Sequence, residues 1–105
     1  MTEKQIGLMM HALGLDNEKP RKRNGKYYYK AYRNRYMTGK MKLSKVGLNL
    51  FDSKRDADDD VAEWDDLVSN GYAKRIENTT YYYQVTHKGM DALAEVLGYE
   101  SITEE

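Results

Sequence analysis

Residues 67–75 read LVSNGYAKR, and residues 81–93 read YYYQVTHKGMDAL. The first stretch closes an apolar run on Asn70 and Gly71, a pair that favours a turn and ends a helix. YAKRIE (72–77) and YYYQVT (81–86) then read as two strands joined by a tip at Asn78, Thr79 and Thr80. Tyr83 and Val85 fall on one face of the second strand, Tyr82 and Gln84 on the other. Thr86 is placed to cap a last helix with Met90, Leu93, Ala94 and Leu97 turned inward and Gly98 at its end. Helix, hairpin, helix is therefore the predicted order of the second half, and an α+β fold follows from it.

Upstream, Ser53 can cap the helix that leads into the hairpin. Its first turns hold Asp56, Asp58, Asp59 and Asp60, where the positive end of the helix dipole favours acids. Ala57, Val61, Trp64 and Val68, with Leu67 beside them, form its apolar stripe. At the start of the chain Ile6, Met9, Met10 and Leu13 recur at helical spacing. Thr2 and Gln5 make a capping box, and Gly14 stands where a left-handed stop belongs. Val61, Trp64 and Val68 are thus expected to meet Ile6, Met9, Leu93 and Leu97 in one core. Residues 16–25, with the only proline and an Asn-Gly pair, read as a loop. The middle is ambiguous: Tyr29, Tyr32 and Tyr36 have helical spacing, while the triplet at 27–29 favours a strand. From Met41 to Phe51, Leu43, Val46 and Leu50 suit a short helix weakened by Gly47.

LVSNGYAKR followed by YYYQVTHKGMDAL resembles the helix-to-wing segment of small winged-helix proteins. That likeness implies a two-stranded wing and a closing C-terminal helix within a single domain spanning 1–105. HALGLD early, YRNRY centrally, then WDDLVSNGYA and VTHKG together resemble a loose family of small uncharacterised proteins of phages and prophages of Gram-positive bacteria. The family brings no activity to carry over. Arg35 before Tyr36 and the basic insert KMKLSKVGLNLFDSKR depart from its pattern.

At 105 residues the chain is large enough for one modest core. It has no cysteine, which excludes disulfides and thiolate zinc sites and suits a reducing compartment. No apolar run reaches the roughly 18 residues of a membrane span, and the N-terminus lacks a signal-peptide pattern. A cytoplasmic location, in a bacterial host, is expected. Zero net charge conceals segregation. Residues 19–51 hold eleven Lys or Arg and no acid, residues 52–105 hold fourteen acids against five bases, and residues 1–18 add three acids and one base. Such asymmetry speaks to partners rather than to fold.

No phosphate loop, nucleophile elbow or histidine pair at metal-ligand spacing is present. The acids from Asp56 onward imitate the start of a calcium loop, but Val61 and Leu67 occupy the positions that need glycine and glutamate. His11 reads as a contact to the negative end of the first helix, and His87 as part of a turn. The chain is expected to be non-enzymatic and to need no cofactor or metal.

The sharper expectation concerns the basic, Tyr-rich segment 19–51. Arg21, Lys22, Arg23, Lys26, Lys30, Arg33, Arg35, Lys40, Lys42 and Lys45, joined by Lys74 and Arg75 on the hairpin, can neutralise phosphates. Tyr28, Tyr32 and Tyr36 can stack on bases, or belong to the core. In a DNA-reading winged helix, the helix before the hairpin enters the major groove. Here that helix carries Asp56, Asp58, Asp59, Asp60, Glu63, Asp65 and Asp66, which a phosphate groove repels. Two partners follow. The basic segment engages nucleic acid, or the acidic face at Asp56, Asp58, Asp59, Asp60, Glu63 and Asp66 makes the protein an anti-defence inhibitor of anti-CRISPR type. Such an inhibitor would block a host nuclease or nucleoprotein by charge mimicry.

Overall fold

A computed structural model describes residues 1–16, 21–38, 41–43, 49–51, 59–76 and 82–105. The described chain is α+β and runs α1 (Glu3–Leu13), β1 (Arg21–Arg23), β2 (Lys26–Tyr29), β3 (Tyr36–Met37), β4 (Met41–Leu43), β5 (Asn49–Phe51), α2 (Asp59–Ser69), β6 (Ala73–Arg75), β7 (Tyr82–Val85), α3 (His87–Leu97) and β8 (Ser101–Glu104). The strands form three small sheets, ordered β1-β2-β8, β3-β7-β6 and β4-β5.

The helix ends follow their local chemistry. Thr2 and Gln5 close the capping box of α1, and Gly14 stops that helix in the left-handed region. Thr86 caps α3 by accepting from the Gly89 amide, and Gly98 ends it. Met9, Leu13, Trp64, Leu67, Tyr83 and Leu93 are the largest fully buried side chains. Ile6, Val68 and Leu97 pack against the same core while half-buried. The buried line of α2 therefore runs through Trp64 and Leu67, with Val61 and Val68 on its flanks. Trp64 lies between Tyr83 and Tyr36, at centroid distances of 5.5 and 5.3 Å.

Four expectations change. Arg21–Arg23 is a strand rather than a loop, antiparallel to β2 across a tight turn in which Asn24 and Gly25 have φ of 54° and 82°. Its three side chains are all exposed, so it shows no apolar alternation, although Lys22 and Arg23 lie over the Tyr27 and Tyr28 rings of its partner strand. The last helix does not close the chain, because β8 follows it and pairs parallel with β2, Ile102 opposite Tyr27. The hairpin of β6 and β7 gains a third strand, β3, with Tyr36 opposite Tyr83. In the region from Met41 to Phe51, the described residues pair as an antiparallel ladder, Met41 opposite Phe51, rather than forming a helix. The expected cap Ser53, the stripe residue Ala57 and the hairpin tip at Asn78, Thr79 and Thr80 lie outside the described residues.

The junction of hairpin and α3 explains VTHKG. Thr86 donates its amide hydrogen to the Tyr72 carbonyl at 3.0 Å and its hydroxyl to the Gly71 carbonyl at 2.6 Å. That fixes the Tyr72 carbonyl against α3, where a Cβ on Gly89 would stand 2.0 Å from its oxygen. Gly89→Ala is therefore expected to destabilise by about 1–3 kcal/mol, although alanine is favoured over glycine inside helices by about 1 kcal/mol. Chemical denaturation measures it, and an unchanged or raised midpoint refutes this account. Trp64→Ala empties the centre of the core and is expected to cost about 3–5 kcal/mol, read as a lowered melting temperature. An unaltered melt would contradict the core described here.

Candidate nucleic-acid interface

The motif YRNRY is a clasp between α1 and β7. Asn34, at φ 63°, donates from its side-chain amide to the Val85 carbonyl at 3.0 Å and accepts from the Val85 amide at 2.7 Å. Its own backbone amide donates to the Ala12 carbonyl at 2.7 Å. β3 pairs Tyr36 with Tyr83, so the side chain of Asn34 extends that ladder by one step where the backbone turns away. Arg33 Nη2 donates to the His11 carbonyl at 2.8 Å, a cation on the negative end of α1. Gly14 is packed so closely on Arg33 that a Cβ there would lie 2.8 Å from Nε.

This clasp presents Tyr32 outward, 78% exposed. Two hollows flank it. One, of about 320 Å³, is lined by Leu13, Gly14, Asp16, Arg21, Lys30 and Arg33 together with Tyr28, Tyr29 and Tyr32. The other, of about 280 Å³, is lined by His11, Tyr32, Arg33, Arg35, Met37 and Tyr82. Tyr32 and Arg33 belong to both. Arg35 lies over the Tyr82 ring at 5.2 Å.

Of the other two tyrosines named as possible stacking residues, Tyr36 has an internal role, while Tyr28 stands in the wall of the first hollow. Tyr28 is half-buried with Arg23 over its ring at 5.4 Å. Tyr36 donates to Asp60 at 2.7 Å and packs against Trp64 and edge-on to His11.

The cations divide in the same way. Arg21 is bound by the Glu105 carboxylate, Arg23 approaches it at 3.8 Å, and Lys26 lies 3.9 Å from Glu100. Arg75 is paired with Asp65 at 2.7 Å, an interaction that raises its pKa further. Among the described residues, no carboxylate forms an ion pair with Lys22, Lys30, Arg33, Arg35 or Lys74. Lys74 lies elsewhere, beside Gln84 and His87 in a third hollow. Lys42 is on β4, and Lys40 and Lys45 are outside the described residues.

The carboxylates of α2 are largely engaged within the chain. Asp60 accepts from Tyr36 and pairs with Lys4 at 3.5 Å. Glu63 accepts from Thr2 at 3.5 Å, and Asp66 from the buried Gln5 at 2.7 Å. Asp65 accepts from Tyr83 and Arg75. Asp59 opens α2, while Asp56 and Asp58 lie outside the described residues. Asp16, the one acid in the hollows, is held by His11 at 2.8 Å.

Reading the sequence did not place His11, Met37 and Tyr82 beside Arg35. The outward position of Tyr82 was legible from alternation, but its meeting with Arg35 depends on a two-residue strand. Among the described residues no group of three His, Asp or Glu could hold a metal, and no helix is long and apolar enough to cross a membrane. No protein-family model, curated protein or solved structure matches the chain.

The internal tyrosines also set a limit in alkali. Burial raises the pKa of Tyr29, Tyr83 and Tyr99 above the usual value of about 10, and Glu104, Asp65 and Tyr27 respectively add to the effect. The folded state holds these protons while the unfolded chain releases them from about pH 10 upward. Stability is therefore expected to be intact below that pH and to fall as pH rises through the folded-state values. Denaturation midpoints across this range, followed with tyrosinate absorbance, check it; a flat profile contradicts it.

Proposed function

We propose that this protein is a non-enzymatic, phage-type domain of winged-helix flavour that binds nucleic acid through its basic, Tyr-rich face. One observation carries the reading: Lys30, Arg33 and Arg35 line the two hollows that share the exposed Tyr32, and none of them is in an ion pair with a carboxylate among the described residues. Cations left unneutralised beside an exposed ring suit a ligand that offers both phosphates and aromatic faces. The order β3-β7-β6, with α2 leading into the hairpin and α3 leaving it, supports the winged-helix comparison. The carboxylates on α2 argue against its entering a groove, and their bonds to α1, β3 and the hairpin leave less of an acidic face for charge mimicry. On this reading the protein acts in the cytoplasm of a bacterial host.

Engagement of Lys22, Lys30, Arg33 and Arg35 predicts a slope of roughly −3 in log affinity against log salt on single strands, and slightly steeper on duplex. Lys30→Glu with Arg35→Glu should weaken binding and flatten that slope while the melting temperature holds. Titrating DNA and RNA at several salt concentrations provides the measurement. If nothing binds at low salt, the reading fails, and a nuclease-resistant host protein partner becomes the account to pursue.

A further inference from the structure

We infer that the site around Tyr32 takes an unpaired strand, with one base stacked on the Tyr32 ring and its neighbouring phosphates in the hollows on either side. This rests on the nucleic-acid reading and names the kind of nucleic acid. Three observations lead to it.

Tyr32 is a ring without a packing role. Of the other two stacking candidates, Tyr36 is committed between Asp60, Trp64 and His11, and Tyr28 is half-buried beneath Arg23 in the wall of the first hollow. Tyr32 is 78% exposed. A base offers its face to such a ring only when it has left the duplex, because both faces are covered within a stack.

The hollows are small and separate. At about 320 and 280 Å³ they sit near the lower end of small-ligand pockets, roughly 300 Å³, and form two hollows rather than one continuous groove. Because Tyr32 and Arg33 line both, a strand crossing from one to the other must pass the ring.

Donors stand on both sides of that ring. Lys30 lies in the first hollow, Arg35 in the second, and Arg33 in both. Arg33 uses one of its five N–H donors on the His11 carbonyl; its Nε is buried against Gly14, so the remaining Nη hydrogens are the ones left for a ligand. In the first hollow Asp16 is engaged by His11 and Arg21 by Glu105, which leaves Lys30 and Arg33 as the free charges there. The second hollow has no carboxylate in its lining.

The test compares a pyrimidine-rich single strand with a hairpin duplex of the same composition, on the parent protein, Tyr32→Ala and Tyr32→Phe. The single strand is expected to bind more tightly than the duplex. Tyr32→Ala should weaken single-strand binding about 5- to 150-fold, the range for losing one base–aromatic stack, and leave duplex binding nearly unchanged. Tyr32→Phe keeps the ring and should retain the preference. Thermal melts verify that the variants fold, which is expected of so exposed a side chain. Salt-dependent binding with equal affinity for both ligands, or a Tyr32→Ala variant that binds the single strand like the parent, overturns this inference and leaves the basic-face reading standing. Absence of binding to either ligand at low salt overturns both.

Discussion

The double hydrogen bond between the Asn34 side chain and the backbone of Val85 holds the two halves of this domain in register. Its amide supplies one donor and one acceptor at the spacing of a strand residue, and so stands in for backbone just where the chain turns into the left-handed region. The Asn34 amide hydrogen is meanwhile given to the end of α1. One residue thus satisfies polar groups on a helix and on a strand that are far apart in sequence. Only a short side chain with both a donor and an acceptor can do this: aspartate lacks the donor, and glutamine adds a methylene. Arg33 and Arg35 flank it, so the clasp that builds the fold also sets the direction of the cations beside Tyr32.

Much of the fold was legible because it is locally encoded. Thr2 with Gln5, Thr86, Gly14 and Gly98 act within one helical turn, and each is readable without knowledge of the remainder. Tyr83 and Val85 alternate inward because β7 has four residues, enough to show a period. The strands missed or misread as other elements have two to four residues and gain their identity from distant partners. β1 shows only three exposed cations, β3 has two residues, and β8 is recognisable only by its pairing with β2, more than seventy residues earlier. Such pairing depends on backbone hydrogen bonds, which side-chain patterns do not report.

The charge pattern was legible too, but its consequence was not. An acid-free stretch facing an acid-rich remainder can fold into a large dipole or into internal ion pairs. The described structure takes a mixed course: Arg21, Arg23 and Lys26 meet Glu105 and Glu100, whereas Lys30, Arg33 and Arg35 do not meet acids. Exposed pairs of this kind contribute only about 0–1 kcal/mol each to stability. Their larger effect is to decide which cations remain available, and that selection depends on the β2–β8 pairing that brings the final residues alongside β1 and β2.

A chain of zero net charge can still present a positive field if its acids stand far enough away, and α1 supplies that separation. Glu63 and Asp66 meet α1 at Thr2 and Gln5, the end where its dipole is positive, and Asp60 pairs with Lys4 beside them. Arg33 sits at the opposite end, on the His11 carbonyl and against Gly14. From Gln5 to Gly14 the helix rises about 13 Å, longer than the screening length of about 8 Å at physiological ionic strength. Glu63 and Asp66 therefore stand more than one screening length from the Arg33 end of the helix, and each group occupies the helix end that favours its sign. Asp16 is the exception near the cationic end, where the His11 ring holds it at 2.8 Å. For Glu63, Asp66 and Arg33, part of the separation of charge that the sequence displays along its length thus becomes, through one helix, a separation in space.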